Sequence, residues 1–260
     1  MPAHDLALLT EAARAAGRIA LRHWKRNPQV WDKGGEHGPV SEADLAVNDM
    51  LKTMLLAARP DYGWLSEETP DDPARLTCDK VFIIDPIDGT RAFIAGEETF
   101  AHSLAVTRAG EVTAAVVFLP ALDRLYTASV TAPALRDGRP IAASTRQELT
   151  GADILTTKAN LAPDRWAGGV PEINRSFRAS LAYRLCLAAE GRYDGMFTLR
   201  PAWEWDIAAG SLIATRAGAT VTDQTGAPLR FNTAEARADG VLALPPLLHG
   251  ALVQRLNGGA

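Results

Sequence analysis

Asp85-Pro86-Ile87-Asp88-Gly89-Thr90 directly follows the apolar run Val81–Ile84, which predicts a buried β-strand. Two carboxylates, three positions apart, therefore leave the end of a rigid strand. Pro86 fixes its own φ and favours an extended Asp85, so the turn is stiff. Hard cations such as Mg²⁺ prefer carboxylate and carbonyl oxygens, and backbone amides at a turn bind phosphate. The stretch therefore predicts a loop that holds a metal ion and a phosphate group together.

The composition is that of an ordinary globular protein, with 47% hydrophobic and 22% charged residues among 260. A net charge of −4 argues against a general partner of nucleic acid polymers. It does not argue against a small phosphorylated substrate, for which only the local field matters. No apolar run reaches the ~18 residues of a membrane helix, and the N-terminus lacks a signal-peptide apolar region. We therefore expect a cytoplasmic protein with no membrane partner.

Strands and helices alternate along the chain. Helical spacing predicts a helix over residues 5–24, and Ser41 is a good N-cap for a second helix. Between them, Gly34, Gly35 and Gly38 predict a mobile loop around Lys33. Apolar runs bounded by turn signals predict, in order, strands at Trp64–Leu65, Ser103–Thr107, Thr113–Leu119, Arg124–Thr127 and Ile154–Thr157, a helix at Ser180–Glu190, a strand at Met196–Leu199, a helix at Ala208–Ala217 and a strand at Ala219–Thr222. This mixture implies layered sheets covered by helices.

Three acidic clusters lie at the ends of apolar segments: Glu67-Glu68, Asp85 with Asp88, and Asp206. An unpaired carboxylate beside a core element is unfavourable, so several that converge without basic partners indicate a cation between them. Each cluster taken alone has a simpler interpretation. Asp206 is a natural helix N-cap, and Glu68 is a natural loop charge. The repetition of the pattern on different elements favours the metal site.

Four motifs, in order, resemble those of the inositol monophosphatase superfamily of Mg²⁺-dependent, often lithium-sensitive phosphomonoesterases. They are Pro39–Asp44, Ser66–Thr69, Asp85–Thr90 and Trp205–Gly210, within a resemblance that extends from about Leu6 to about Asn232. The resemblance implies an α/β (α+β) fold, a layered αβαβα sandwich with the active site between two α/β portions. We place the boundary in the polar stretch near residue 145. Residues 1–145 would carry most metal ligands, and residues 146–260 would carry Asp206 and the substrate-side residues. Dimers are common in the family, so the resemblance also implies a homodimer.

The resemblance implies a role for each matched residue. Two or three Mg²⁺ ions would be held by Glu67, Asp85, the backbone carbonyl of Ile87, Asp88 and Asp206. Asp44 and Thr90 would orient and activate the attacking water, and Glu67 would share in that activation through its metal. Substrate contacts would come from the backbone amides of Gly89 and Thr90 and from Asp88, Asp206, Arg200 and Lys33. Lys33 and Arg200 are equally typical of solvated loop cations.

The substrate stays open among small phosphorylated metabolites. Arg91–Ile94 and Glu204 favour the 3′(2′),5′-bisphosphate nucleotidase branch, and Arg91–Ile94 also resembles histidinol-phosphatase-like members. Ser180–Arg184, however, lacks the Ser-x-Lys pattern of the nucleotidases. The glutamate that inositol phosphatases place before their second signature has no counterpart, because Leu199 or Arg200 occupies that region. We therefore predict hydrolysis of an inositol monophosphate or a bisphosphate nucleotide. The alternatives are a histidinol-phosphatase-like or fructose-1,6-bisphosphatase-like enzyme, or a non-catalytic protein that binds metal or phosphometabolites.

Overall fold

The structure is a computed structural model that describes residues 2–34 and 38–257. Gly35 of the predicted loop around Lys33 lies outside the described residues, so the mobility of that loop stays a prediction. The described chain forms six α-helices, α1 (Pro2–His23), α2 (Glu42–Ala58), α3 (Thr90–Ile94), α4 (Leu181–Ala189), α5 (Glu204–Arg216) and α6 (Pro246–Asn257). Its strands are β1 (Val30–Asp32), β2 (Pro39–Ser41), β3 (Gly63–Ser66), β4 (Lys80–Asp88), β5 (Ala101–Arg108), β6 (Glu111–Leu119), β7 (Arg124–Ser129), β8 (Ala132–Arg136), β9 (Arg139–Pro140), β10 (Ala152–Leu155), β11 (Ile173–Ser176), β12 (Gly195–Thr198), β13 (Ala202–Trp203), β14 (Thr220–Thr222), β15 (Arg237–Ala238) and β16 (Val241–Leu244).

Two large sheets organise these strands. The seven-stranded sheet has the order β3-β4-β5-β6-β7-β8-β9, and the five-stranded sheet has the order β11-β10-β12-β16-β14. In the first sheet only β3 and β4 are parallel, and every later neighbour is antiparallel. Antiparallel neighbours need only short turns, and the strands predicted at Thr113–Leu119 and Arg124–Thr127 accordingly pair as a hairpin across Pro120–Asp123.

The helices and the two sheets stack in five layers. Side chains alternate across β4, so Phe82 and Ile84 pack against α1 and α2, whereas Val81 and Ile83 face the core shared with α4 and α5. The five-stranded sheet covers the other side of α4 and α5, and α6 packs on its outer face through a third cluster that includes Phe197. The layers confirm the expected αβαβα sandwich.

The structure differs from the sequence-based predictions in three respects. The residues Asp85–Asp88 were expected to form a loop after the strand, but they continue β4 as an irregular strand end whose register shifts against β5. Helix α5 begins at Glu204, four residues earlier than predicted, because the buried Glu204 side chain accepts hydrogen bonds from the chain at Asn232 and Thr233. The sequence reading also missed several short or late elements, namely β1, β2, β8, β9, β11, β13, β15, β16 and α6.

The boundary near residue 145 stays a prediction. The seven-stranded sheet precedes it and the five-stranded sheet follows it. One continuous core nevertheless spans both, because α4 and α5 pack against the two sheets at once. Within the described ranges, no helix is both long enough and apolar enough to span a membrane.

Candidate active site

Three carboxylates from two elements meet where α5 begins beside the end of β4. Asp85 and Asp88 come from the irregular end of β4, and Asp206 lies in the first turn of α5. Each offers an oxygen, and these oxygens lie within 4.8 Å of one another. The interpretation of Asp206 as an N-cap was wrong, since Trp203 occupies the N-cap position. The first turn of α5 therefore sets the position of Asp206, but the Asp206 carboxylate does not cap the helix.

The charges of this cluster are not balanced within it. Burial raises the pKa of Asp85 well above its ordinary value, and the nearby carboxylates, Glu67 first among them, raise it further. The pKa of Asp206 is raised well above its ordinary value in the same way, by burial and then by Asp88. The buried Oδ1 of Asp85 has no hydrogen-bond partner among the described residues. An all-oxygen donor set with an unsatisfied buried oxygen fits a hard divalent cation such as Mg²⁺.

Asp88 is fixed by the start of α4. Its Oδ2 accepts a hydrogen bond from the Ser180 hydroxyl at 2.6 Å and another from the Ala182 backbone amide at 2.6 Å. Ser180 is also the N-cap of α4, where it accepts from the Tyr183 amide at 2.9 Å. One oxygen of Asp88 is therefore hydrogen-bonded to the start of α4, and the other is available to bind a cation. Beyond the predicted start of a helix at Ser180, no local pattern indicates this link.

Asp44 and Thr90, the predicted water-activating pair, lie in contact. The Thr90 hydroxyl is 3.0 Å from Asp44 Oδ1 and also 3.0 Å from the Ile87 carbonyl oxygen. The other Asp44 oxygen, Oδ2, accepts from the Ser41 backbone amide at 2.9 Å and from the Ser41 hydroxyl at 2.5 Å, in a capping box at the start of α2. Burial raises the pKa of Asp44 to about 6, although its hydrogen bonds with Ser41 oppose the rise. The helix cap therefore fixes the carboxylate that holds Thr90.

Gly89 allows the chain to turn between the cluster and Thr90. Its φ of +94° lies in the left-handed region, which only glycine adopts without strain. A Cβ atom there would lie 3.4 Å from the Thr99 carbonyl oxygen and 3.5 Å from the Ser180 Cβ. The backbone at Gly89 is thus free of a side chain where the predicted phosphate would approach.

His102 contacts the backbone of the irregular end of β4. It is buried on β5, and its Nδ1 lies in hydrogen-bond contact with the Pro86 carbonyl oxygen. Burial lowers the pKa of His102 to about 4, so the ring is neutral at physiological pH and its Nδ1–H donates to that carbonyl. No histidine lies in a recognised motif, and the sequence reading therefore missed this contact.

Glu67 does not join the cluster of three. Its Oε1 lies 2.7 Å from the Lys33 ammonium, which also contacts Glu68 at 2.8 Å. Burial raises the pKa of Glu67 to about 7, and Lys33 opposes the rise. The expectation that the acidic clusters lack basic partners was therefore wrong for Glu67-Glu68. The loop before β2 brings Lys33 across a gap of 34 residues, which no local pattern predicts.

Two arginines flank the Asp206 side of the cluster. Arg200, predicted from the sequence, is exposed and opposes the rise in the pKa of Asp206. Arg184 was not predicted. It lies on α4, where its Nε is 3.4 Å from the Ser180 carbonyl oxygen. It favours the ionised form of Asp88.

A cavity of about 430 Å³ opens next to Glu67. Its walls include Lys33, Glu67, Trp203 and Trp205, with the two tryptophan rings stacked 4.7 Å apart. A small metabolite fits a cavity of this size. Asp85, Asp88 and Asp206 are not among its lining residues, so the cavity borders the candidate site at Glu67 and Lys33.

The chain belongs to the inositol monophosphatase family, whose sequence model matches residues 2–257. It is 36% identical to the inositol-1-monophosphatase of Rhizobium meliloti over 85% of this chain and 86% of that one. It is 31% identical to the Nus factor SuhB of Xylella fastidiosa over 85% and 82%. Its fold matches that of the Thermotoga maritima IMPase with a TM-score of 0.84 at 28% identity, covering all of this chain and 98% of that one. The family is one of metal-dependent phosphatases, and this chain has the acidic cluster that such chemistry needs.

Metal binding should stabilise the fold. Saturation of the cluster with Mg²⁺ at ~100 times its Kd adds about 2.7 kcal/mol to the free energy of unfolding. For a chain of this length we expect Tm to rise by roughly 5–10 °C. Thermal unfolding with Mg²⁺ and with EDTA measures this, and Na⁺ at matched ionic strength is the control. An equal Tm in all three conditions would contradict the metal site.

Proposed function

We propose that this protein is a Mg²⁺-dependent phosphomonoesterase that hydrolyses a small phosphorylated metabolite with an activated water molecule. The observation that carries the proposal is the contact between Asp44 and the Thr90 hydroxyl, beside three carboxylates that form no salt bridge among the described residues. A protein that only bound metal would need the carboxylates but not the Asp44–Thr90 pair.

Asp85, Asp88 and Asp206 would hold the metal, with the Ile87 carbonyl and Glu67 as further ligands for two or three Mg²⁺ ions. When bound, these ions neutralise phosphoryl oxygens, lower the pKa of bound water and stabilise the leaving alkoxide. Lys33 now contacts Glu67, so Glu67 can serve a cation only if the ammonium moves aside or shares the carboxylate.

Asp44 and Thr90 act on the water. In its ionised state Asp44 accepts a hydrogen bond from the Thr90 hydroxyl. The Thr90 oxygen is then free to accept a hydrogen bond from water. The water is thereby oriented, and its proton has a path toward the carboxylate. Such positioned acid–base pairs contribute ~10²–10⁴-fold to rates.

The phosphate would lie against the backbone of Gly89 and Thr90, whose amides bind its oxygens. Gly89 adds no side chain that would block this approach. Asp206 and Asp88 would contact the alcohol portion of the substrate, with Lys33 and Arg200 as charged neighbours. An anion held here is positioned for attack from the Asp44–Thr90 side.

A second candidate is a non-catalytic role. It is favoured by the similarity to the Nus factor SuhB of Xylella fastidiosa, whose name refers to a different activity. The same metal site would then stabilise the fold or present a surface. Localisation in the cytoplasm and assembly as a homodimer stay predictions in either case.

Phosphate release distinguishes the two functions. With Mg²⁺ we expect turnover of at least one of inositol 1-phosphate, adenosine 3′,5′-bisphosphate, histidinol phosphate and fructose 1,6-bisphosphate. EDTA should abolish the turnover, and Li⁺ should lower it, as the resemblance implies. Free phosphate is measured over time. A protein whose Tm rises with Mg²⁺ but which releases no phosphate from any of the four would support the non-catalytic role.

A further inference from the structure

Arg184 is a buried cation without a full set of partners. Its side chain is on α4 and only 3% of the residue is exposed. Its Nε makes one long contact, 3.4 Å from the Ser180 carbonyl oxygen, while its buried Nη1 has no hydrogen-bond partner among the described residues. The exposed Phe177 ring lies 5.2 Å from the guanidinium carbon. A buried guanidinium with an unused donor is unfavourable unless an anion completes it.

Arg200 adds a second positive charge near Arg184. It stands in the short connection between β12 and β13, shortly before Asp206. The pKa of Arg184 is lowered to about 10, chiefly by burial and in part by the positive charge of Arg200, whereas Asp88 and Asp206 oppose the shift. The two guanidinium groups are thus close enough to repel each other. Like charges held together in this way are typical of a site that binds an anion.

The geometry of an in-line displacement indicates which part of the substrate would carry that anion. Asp44, the carboxylate of the proposed water-activating pair, is not among the charges that act on Arg184, whereas Asp88 and Asp206 are. In an in-line displacement the leaving group departs on the side opposite the water. Asp206 and Arg200 act on Arg184 and Asp44 does not, so the two arginines are assigned to the alcohol portion of the substrate.

We propose that Arg184 and Arg200 bind a second anionic group on the alcohol portion of the substrate. The inference rests on the proposed phosphatase function and narrows its substrate class. The substrate is then a small phosphomonoester that also carries a carboxylate or a second phosphate, and not a neutral polyol phosphate. The planar guanidinium presents paired donors that match either group.

An alternative role for Arg184 is that of a counter-charge for Asp88. Ser180 connects the two, since its carbonyl oxygen faces Arg184 Nε and its hydroxyl donates to Asp88. Loss of a counter-charge alone would change the rate for every substrate by a similar factor. Loss of an anion subsite changes the ratio between charged and uncharged substrates. The ratio is therefore the quantity to measure.

Two matched substrate pairs provide the test. In the first, 2-phosphoglycerate carries a carboxylate where glycerol 2-phosphate has a hydroxymethyl group. In the second, adenosine 3′,5′-bisphosphate carries a second phosphate that adenosine 3′-phosphate lacks. We expect kcat/KM to be about tenfold higher or more for the doubly anionic member of at least one pair, given the usual strength of charge-assisted hydrogen bonds. The pair that shows the preference identifies the second group.

Variants assign the preference to the arginines. Arg184→Gln and Arg200→Gln should each bring the ratio toward one, mainly through KM. Arg192→Gln, an exposed arginine just after α4, is the matched control and should keep the wild-type ratio. If Arg184→Gln fails to fold, the exposed Arg200 still decides the question.

Two results would overturn the inference while leaving the phosphatase intact. One is turnover of inositol 1-phosphate together with a wild-type ratio near one for both pairs. The other is a preference that both glutamine variants keep. If no substrate is turned over, the proposed function fails instead. Calorimetry with 2-phosphoglycerate and glycerol 2-phosphate in Mg²⁺ then decides the inference, since equal affinities would refute it and at least tenfold tighter binding of 2-phosphoglycerate would support it.

Discussion

Asp85→Asn is expected to lower kcat/KM by about 1000-fold or more, which corresponds to the several kcal/mol that a catalytic metal supplies. The same change should leave the metal-free protein at least as stable as the wild type. Asp85 is buried with an unsatisfied oxygen, and burial raises the pKa of its carboxyl well above the ordinary value. An acid whose folded pKa is raised destabilises the fold as the pH rises above its unfolded pKa, so the neutral amide removes that penalty.

Thermal unfolding and steady-state kinetics at neutral pH measure the two effects together. With EDTA, the Tm of Asp85→Asn should equal or exceed that of the wild type, and added Mg²⁺ should raise it little. Asp79→Asn is the matched control, because Asp79 lies just before β4 in an exposed ion pair with Arg108. It should keep wild-type activity and the wild-type response to Mg²⁺. A marked fall in the metal-free Tm of Asp85→Asn, or unchanged turnover, would contradict the assignment.

Thr90→Val should lower kcat by about 100-fold or more, since it removes the hydroxyl that positions the water and keeps the shape of the side chain. Asp44→Asn should have a similar effect on kcat. The double variant should be little slower than either single one, since the two residues act as a unit.

The Mg²⁺-induced rise in Tm separates this pair from the metal ligands. Neither Asp44 nor Thr90 belongs to the cluster of three carboxylates, so both variants should keep that rise. Thr113→Val, on β6 of the same sheet, is the matched control for a lost threonine hydroxyl. Loss of the Mg²⁺ response in Thr90→Val would mean that the hydroxyl supports the metal and not the water. Multiplicative effects in the double variant would argue against a shared role.

Arg184 and Arg200 are the residues that bear on the proposed substrate. Arg200 acts on Arg184 and on Asp206, which favours a second anionic group. A doubly charged phosphate ester would satisfy both arginines. Glu204, one basis of the nucleotidase interpretation, is buried and accepts hydrogen bonds from the chain at Thr233, and that interpretation stays a prediction.

The sequence predicted those features that depend on short stretches of chain. The apolar run Val81–Ile84 and the N-cap at Ser41 predicted the strand and the helix that carry the site. Weak local signals explain the misses. Strand β16 is four residues long, and it is stabilised by pairing with β12 and β14 and not by its own pattern.

The sequence alone determined the family, because the four acidic motifs are short stretches whose order and spacing are properties of the chain itself. Only the tertiary structure decided which charges meet. Asp88 is bound by Ala182 across 94 residues, and Lys33 reaches Glu67 across 34. Such contacts depend on how α4 and the loop before β2 pack, and packing is a property of the whole core. The same packing buries Arg184 near the carboxylates, so α4 contributes a cation to the candidate site.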